Sequence, residues 1–145
     1  MTEAPTASLI VAGVDGSPEA AAALESAIEE ARLRKARLHV TYAYAVGAAG
    51  VGSTSEEFFA QLEAGAKGVL EQMAASAPPT DGLEVEWIAV PGNPSEVLIK
   101  ASRDAALLVV GSRGLGGFRG LVMGSVSDQC VHHSHCAVLV VHKQP

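Results

Sequence analysis

Aromatic residues and long apolar runs are both scarce in this chain of 145 residues. Aromatic residues make up 4% of a sequence that is 48% hydrophobic, so we expect a core built mainly from Val, Leu, Ile and Ala. No apolar run reaches the ~18 residues that would suggest a membrane span. Residues 1–8 lack the basic start and apolar core of a signal peptide, and we predict that they form a short flexible leader.

Basic residues and cysteines are also few. Ten Lys and Arg residues against sixteen Asp and Glu residues give a formal net charge of −6. Nucleic-acid-binding domains normally carry a basic stripe, and anionic membranes attract basic segments. We therefore expect neither a nucleic acid nor a membrane among the partners. The two cysteines, Cys130 and Cys136, argue against a disulfide framework and favour a cytoplasmic protein with reduced thiols.

Short apolar segments alternate with helical patterns along the chain. In one of them, Glu84 and Glu86 alternate with Val85 and Trp87, which is typical of a strand at the edge of a sheet. The alternation of strands and helices predicts one doubly wound α/β domain over residues 1–145, with a five-stranded parallel sheet flanked by helices. The predicted strands cover residues 9–14, 38–44, 83–90, 105–110 and 137–141.

Capping residues mark where the helices between these segments begin. Ser17 predicts the start of the first helix, and Asn93 predicts the start of a short third helix. The pattern Ser53-x-x-Glu56 resembles a capping box, which would start the second helix after a loop at 47–55. A fourth helix is predicted over residues 126–133.

The most unusual segment is residues 110–127, which carries six of the fifteen glycines and leads from the fourth strand into the fourth helix. Glycine allows unusual backbone conformations and a close approach of the backbone to a ligand. The N–H groups and the dipole at a helix N-terminus favour an anion. Strand, glycine loop and helix together predict a cradle for phosphate groups.

A second loop, at residues 13–17, follows the first strand and contains Asp15. Doubly wound sheets bind ligands where successive connections leave in opposite directions. If the first and fourth strands are neighbours, both loops line one crevice and the strand order is 3-2-1-4-5. Asp15 would then serve the ribose or base of a nucleotide, and the glycine amides would serve its phosphates. Asp15 also suits a helix-capping role, and the two roles are compatible.

The sequence lacks two better-known phosphate-binding motifs, and it does not predict a metal site. It contains no G-K-[ST] and therefore no P-loop, and Arg119 stands where a Rossmann fingerprint needs its third glycine. Arg113 and Arg119 suit phosphate contacts through their forked donors, with solvated loop charges as the alternative. Cys130, His133 and Cys136 are residue types that zinc accepts, but their spacing along a helix argues against a site, and we predict none.

The glycine segment resembles a family signature. Gly111-x-x-Gly114, nine further residues and then Gly124-Ser125 match the G-2x-G-9x-G-S/T signature of the universal stress protein family. The similarity extends to Val14-Asp15-Gly16-Ser17 and to Leu38-His39-Val40. The resemblance implies an ATP-binding member of the family, with ATP as the ligand, with or without Mg²⁺. It also implies a homodimer that pairs through the last strand.

The resemblance assigns a set of residues to the nucleotide site. The adenosine part would contact Gly13, Asp15 and Val40, the last through its backbone. Gly111 and Gly114 would shape the turn around the ribose and phosphates, and the neighbouring Val110 and Arg113 complete the predicted site. The phosphates would receive amides and hydroxyls from Gly124, Ser125, Val126 and Ser127.

Two positions depart from the family pattern. Many members carry an aliphatic residue or proline where Gly13 stands, so we expect the contact with the adenine to be looser here. The family often has proline just before the last strand, where this chain has Ala137. We expect that difference to alter the turn and to leave the ligand site unchanged.

Three functions are compatible with such a site. The first is an ATP-binding sensor or regulator of a stress response, with at most slow ATP hydrolysis and an unidentified protein partner. The second is a genuine ATPase or nucleotidyl-transferring enzyme that uses the same crevice, and the third is an interaction module that works without nucleotide. Efficient hydrolysis needs a positioned water and strong charge compensation. No nucleophile–base pair stands out in the sequence, so we favour the first function and assign no catalytic residue.

Overall fold

The computed structural model describes residues 7–46, 56–114 and 123–143. The predicted leader up to residue 6, the loop at 47–55 with Ser53, and Arg119 lie outside the described residues. The strands are β1 (Leu9–Val14), β2 (Arg37–Tyr44), β3 (Val85–Pro91), β4 (Leu107–Gly111) and β5 (Ala137–Val141). The helices are α1 (Pro18–Arg34), α2 (Glu56–Ser76), α3 (Pro94–Ala101) and α4 (Ser125–His133), with a 3₁₀ turn (Ser102–Asp104) after α3.

The strands form one parallel sheet in the order β3-β2-β1-β4-β5. This confirms the predicted fold class and strand order. In the register of the sheet, Gly13 of β1 is aligned with Thr41 on β2 and with Val110 on β4. β3 lies at an edge, as the alternation of charged and apolar residues along it predicted, and β5 forms the other edge. The central position of β1 and β4 brings the two polar loops to the same end of the sheet.

The third and fourth strands begin two residues later than predicted, at Val85 and Leu107. Before β3, the Leu83 N–H donates to the carbonyl of Thr80 at 3.0 Å, so this segment closes a turn instead of extending the strand. Before β4, the Ala105 N–H donates to the carbonyl of Ser102 at 3.3 Å and closes the 3₁₀ turn. Local hydrogen bonds therefore use the first predicted residue of each strand, Leu83 and Ala105. The next residues already bond to neighbouring strands: the Glu84 carbonyl accepts the Leu38 N–H at 2.9 Å, and the Ala106 N–H donates to the Leu9 carbonyl at 2.8 Å.

Side-chain caps start α1 and α3, as predicted. The Ser17 hydroxyl accepts the Ala20 N–H at 3.1 Å, and Pro18 follows at the first helical position, where its missing N–H costs nothing. The Asn93 side chain accepts the Glu96 N–H at 3.2 Å in the same way. Both caps lie at the C-terminal end of the sheet, so they fix the direction in which the chain leaves β1 and β3.

Alternate side chains of the sheet enter two separate cores. On one face, apolar residues of β1 and β2 pack against α1 and α2, and this core includes Ile10, Ala12, Leu24, Leu38 and Val40. On the other face, a smaller core below α3 and α4 contains Leu9, Val11, Leu98, Leu108, Val110 and Cys130. Both faces of the central strands are therefore covered, as a parallel sheet requires. Across the described ranges, no helix combines the length and apolar character needed to traverse a bilayer.

Candidate functional site

A crevice opens at the C-terminal ends of β1 and β4. The chain leaves β1 into α1 on one face of the sheet and leaves β4 towards α4 on the other, so the crevice lies at the switch point of the fold. Its volume is about 400 Å³. Its lining includes every residue assigned to the nucleotide site by sequence except Val40: Gly13, Asp15, Val110, Gly111, Arg113, Gly114, Gly124, Ser125, Val126 and Ser127.

The glycines of the signature stand where an added side chain would crowd its neighbours. A Cβ at Gly111 would lie 2.9 Å from the backbone of Glu19, and a Cβ at Gly124 would lie 3.3 Å from the Cα of Arg113. A Cβ at Gly114 would overlap the Oδ2 atom of Asp15. None of these three glycines has a positive φ. Close approach of the backbone, and not a left-handed turn, is therefore what these positions demand.

The two ends of the glycine loop are joined by Ser112, which sequence reasoning missed. The Ser112 carbonyl accepts the Gly124 N–H at 2.6 Å and the Ser127 hydroxyl at 2.9 Å. The Ser112 N–H donates to the carbonyl of Val141 at 2.8 Å, at the end of β5. These bonds hold the two ends of the glycine loop together at Ser112, Gly124 and Ser127, which we call the neck of the loop. The neck is buried, since Ser112 and Ser127 are each 2% exposed. Ser127 therefore uses its hydroxyl proton inside the neck.

The start of α4 provides free backbone donors at the crevice. α4 begins at Ser125, one residue earlier than predicted, and its N-cap is Gly124. Among the described residues, no side chain caps this helix. The first N–H groups of an α-helix have no acceptor within the helix, and the dipole adds partial positive charge there. Ser125 and Val126 thus form a wall of the crevice whose partial positive charge favours an anion.

Asp15 links the two loops. Its Oδ1 atom accepts the Ser17 N–H at 2.9 Å, just before α1. Its Oδ2 atom faces the position from which a side chain at Gly114 would extend. One carboxylate thus supports the start of α1 and borders the glycine loop, so the capping role is seen and the contact with a ribose or base stays a prediction.

A basic side chain stands beside the start of α1. The Arg113 guanidinium lies 3.9 Å from the Oε1 atom of Glu19, with the Arg113 side chain 36% exposed. Glu19 is also the residue whose backbone approaches Gly111. The Arg113 side chain is held near the crevice and retains access to solvent, which suits contact with an anion.

Val40 is the one residue of the predicted site that does not line the crevice, and its predicted contact through the backbone stays a prediction. Its side chain is fully buried in the core below α1, between the register partners Ala12 and Trp87. The crevice is lined instead by its strand neighbours Thr41 and Ala43. Successive side chains of a strand point to opposite faces of the sheet, so Thr41 and Ala43 share the face opposite to that of Val40. This alternation is the sequence signal from which the two neighbours could have been predicted.

Two residues of α3 also line the crevice and were missed from the sequence. Pro94 lies at the first turn of α3, and Leu98 lies one turn further along. The Cδ1 atom of Leu98 is 2.5 Å from where a Cβ of Gly13 would stand. The wall at Gly13 is therefore closed by Leu98, and the looser contact with the adenine that the sequence suggested stays a prediction.

The cysteines lie below the site, in the core of the α3/α4 face. Burial, together with the nearby Cys136 thiol, raises the pKa of the Cys130 thiol to about 11. Burial raises the pKa of the Cys136 thiol as well. His133 is exposed on α4. The described ranges contain no group of three or more His, Cys, Asp or Glu side chains arranged to hold a metal ion.

The fold and the crevice together define a doubly wound α/β protein with an anion-favouring site at the switch point of its sheet. The family model described as "Universal stress protein family" matches residues 8–142. The chain therefore belongs to the universal stress protein family.

Individual relatives agree with this assignment. A universal stress protein of Thermus aquaticus is 34% identical over 91% of this chain and 96% of its own. One from Mycobacterium tuberculosis is 34% identical over 93% of this chain and 48% of its own, so this chain spans about half the length of that relative. A solved universal stress protein in complex with cAMP is 25% identical, with a TM-score of 0.75 over 95% of this chain and 99% of that one.

Proposed function

We propose that this protein binds an adenine nucleotide, with ATP as the ligand, and acts as a nucleotide-dependent sensor or regulator of a stress response. The observation that carries the proposal is the start of α4, which lines the crevice beside the glycine neck and whose backbone donors no side chain of the described residues caps. Such a helix N-terminus favours the negative charge of phosphates. The family relative in complex with cAMP supports an adenine nucleotide as the class of ligand.

The lining of the crevice suits the two parts of a nucleotide. In this proposal the phosphates lie at Ser125 and Val126, and Arg113 also lines the crevice. Other lining residues carry no charge, among them Ala43 and Leu98, and such a surface suits the flat face of a base. Asp15 lines the crevice as well, and a carboxylate accepts hydrogen bonds from ribose hydroxyls.

In this proposal the protein hydrolyses ATP slowly at most. Rapid phosphoryl transfer needs a positioned nucleophile and compensation of the charge that develops on the phosphoryl group. The one carboxylate that lines the crevice within the described residues is Asp15, and its Oδ1 atom already accepts the Ser17 N–H. We therefore assign nucleotide binding, and no catalytic step, to the described lining residues. In this proposal the nucleotide binds with or without Mg²⁺ on its phosphates.

The assembly in this proposal is a cytoplasmic homodimer that pairs through β5. β5 is an edge strand, and its residues from Val138 to Val141 remain half-buried in the single chain. Pairing with a second copy would cover apolar side chains and supply partners to the outer row of backbone groups. The Ser112 N–H bond to Val141 connects this edge directly to the neck of the glycine loop.

The proposal is tested by identifying the nucleotide that the purified protein carries and by measuring which nucleotides it binds. Purified protein is denatured and any released nucleotide is identified by mass spectrometry. The emptied protein is then titrated calorimetrically with ATP, ADP, AMP, cAMP and GTP, with and without Mg²⁺. We expect ATP to bind most tightly and GTP at least tenfold more weakly. Absence of binding by every adenine nucleotide would refute the proposal, and tighter binding of AMP or cAMP would correct the ligand.

A further inference from the structure

Leu98 occupies the space that a side chain at position 13 would fill. A Cβ at Gly13 would lie 2.5 Å from the Cδ1 atom and 3.0 Å from the Cδ2 atom of Leu98. Both distances are shorter than carbon atoms tolerate without one of them moving. The wall of the crevice over the end of β1 therefore consists of a helix side chain and not of a strand side chain.

The register of the sheet explains why these two residues meet. Gly13 is aligned with Thr41 and Val110, and aligned residues of neighbouring strands present their side chains on the same face. That face is the α3/α4 face, since Val110 and Leu98 belong to the same core. With no side chain on Gly13, Leu98 reaches the strand while it also borders the crevice.

Leu98 is held at this depth by its own helix. α3 is fixed at its start by the Asn93 cap, with Pro94 in the first turn. The Leu98 side chain is 4% exposed, although it borders an open crevice. Its position is thus set by packing against the sheet, and its volume determines how far the crevice extends towards α3.

We propose that Leu98 sets the depth of the base-binding part of the crevice and so limits the substituents that a bound purine can carry. This inference rests on the proposed function, because it assigns the uncharged lining around Gly13 and Leu98 to the base. Gly13 and Leu98 form a size-complementary pair. Truncation of Leu98 deepens the crevice at this point, whereas a methyl group at position 13 displaces the Leu98 side chain into the crevice and makes it shallower.

The experiment measures the affinity of the whole chain for ATP and for ATP analogues that carry a benzyl group at N6, C2 or C8. Native protein is compared with Leu98→Ala, Leu98→Val and Gly13→Ala. The matched control is Ile99→Ala, because Ile99 lies next to Leu98 on α3 and packs against the same core without lining the crevice. Circular dichroism and thermal unfolding show which variants are folded.

We expect Leu98→Ala to improve the affinity for at least one benzyl analogue, relative to ATP, by tenfold or more. Ile99→Ala should leave that ratio within twofold of the native value. Gly13→Ala should weaken ATP binding by fivefold or more in the native background and by less than twofold in the Leu98→Ala background. If Leu98→Ala does not fold, the smaller truncation in Leu98→Val and the effect of Gly13→Ala decide the question.

Two negative outcomes are distinguishable. If native protein binds ATP but no analogue ratio changes in either Leu98 variant, Leu98 does not set the depth of the site and this inference is wrong, while the proposed function stands. If native protein binds no adenine nucleotide at all, the proposed function is wrong and the inference is overturned with it.

Discussion

The carboxylate of Asp15 and the backbone of Gly114 meet across the crevice, with the Oδ2 atom of Asp15 in the place where a side chain at position 114 would begin. The contact joins the loop after β1 to the loop after β4. A side chain at position 114 would have to displace this carboxylate, so glycine suits the position although the backbone there does not have a positive φ.

Gly114→Ala should reduce the affinity for ATP by tenfold or more, because the added Cβ displaces the Asp15 carboxylate or the loop. The matched control is Gly65→Ala on α2, where a Cβ meets no atom within 4 Å. That control should leave binding unchanged and raise the stability by up to about 1 kcal/mol, since alanine is the better helix former. Calorimetric titration and thermal unfolding of both variants check the two effects. Equal affinities of Gly114→Ala and native protein would remove Gly114 from the site.

Ser125→Ala should weaken ATP binding by about 1 kcal/mol, the scale of one lost hydrogen bond, which corresponds to roughly fivefold. The backbone N–H groups at the start of α4 remain in this variant, so binding should be reduced and not abolished. The control is Ser76→Ala, because the Ser76 hydroxyl is exposed and donates within its own helix, far along the chain from the crevice. A loss of affinity in both variants alike would contradict a specific role of Ser125.

Ser127→Ala should lower the free energy of unfolding as well as the affinity. The Ser127 hydroxyl donates to the Ser112 carbonyl inside the neck, where it is buried. Loss of a buried hydrogen bond typically costs on the order of 1 kcal/mol. Urea denaturation compares this variant with Ser125→Ala, whose stability should stay close to that of the native protein. If Ser127→Ala reduces affinity with no loss of stability, the hydroxyl serves the ligand and not the neck.

Alkaline pH should destabilise the protein through Cys130. The folded-state pKa of this thiol is raised from 9.0 to about 11, so the folded protein holds a proton that the unfolded chain loses earlier. The associated stability is fully present below pH 9 and is lost as the pH rises from about 9 to about 11. Cys130→Ala lacks this contribution. The difference in unfolding free energy between native protein and Cys130→Ala, measured in urea, should therefore shrink over that range, and a constant difference would contradict the burial argument.

Dimerisation should depend on the outer edge of β5. The Val141 carbonyl points towards β4, where it accepts the Ser112 N–H. The backbone groups of Val140 therefore point to the open edge, because successive residues of a strand alternate in direction. Val140→Pro removes one outward donor and should shift the protein from dimer to monomer in light scattering, whereas Val140→Ala should remain dimeric. A monomeric native protein would refute the dimer, and a dimer that survives Val140→Pro would place the interface elsewhere.

Most of the fold was predictable from the sequence because its signals are local. Ser17 and Asn93 start their helices as expected, and the order of the strands followed from placing two unusual loops in one crevice. The site was harder to predict from the sequence, because its wall at α3 depends on how closely that helix approaches the sheet. Nothing in the sequence pairs Leu98 with Gly13, and the role of Ser112 arises from its backbone carbonyl, which residue type does not reveal.

The central claim is that the crevice holds an adenine nucleotide with its phosphates at the start of α4. Its most direct test is the change in backbone amide chemical shifts of ¹⁵N-labelled protein on titration with ATP. We expect the largest shifts at residues 111–114 and 124–127, with smaller shifts at Gly13 and Thr41 and none at the opposite end of the sheet around Arg37. Saturable shifts centred elsewhere, or no shifts at millimolar ATP, would contradict the account.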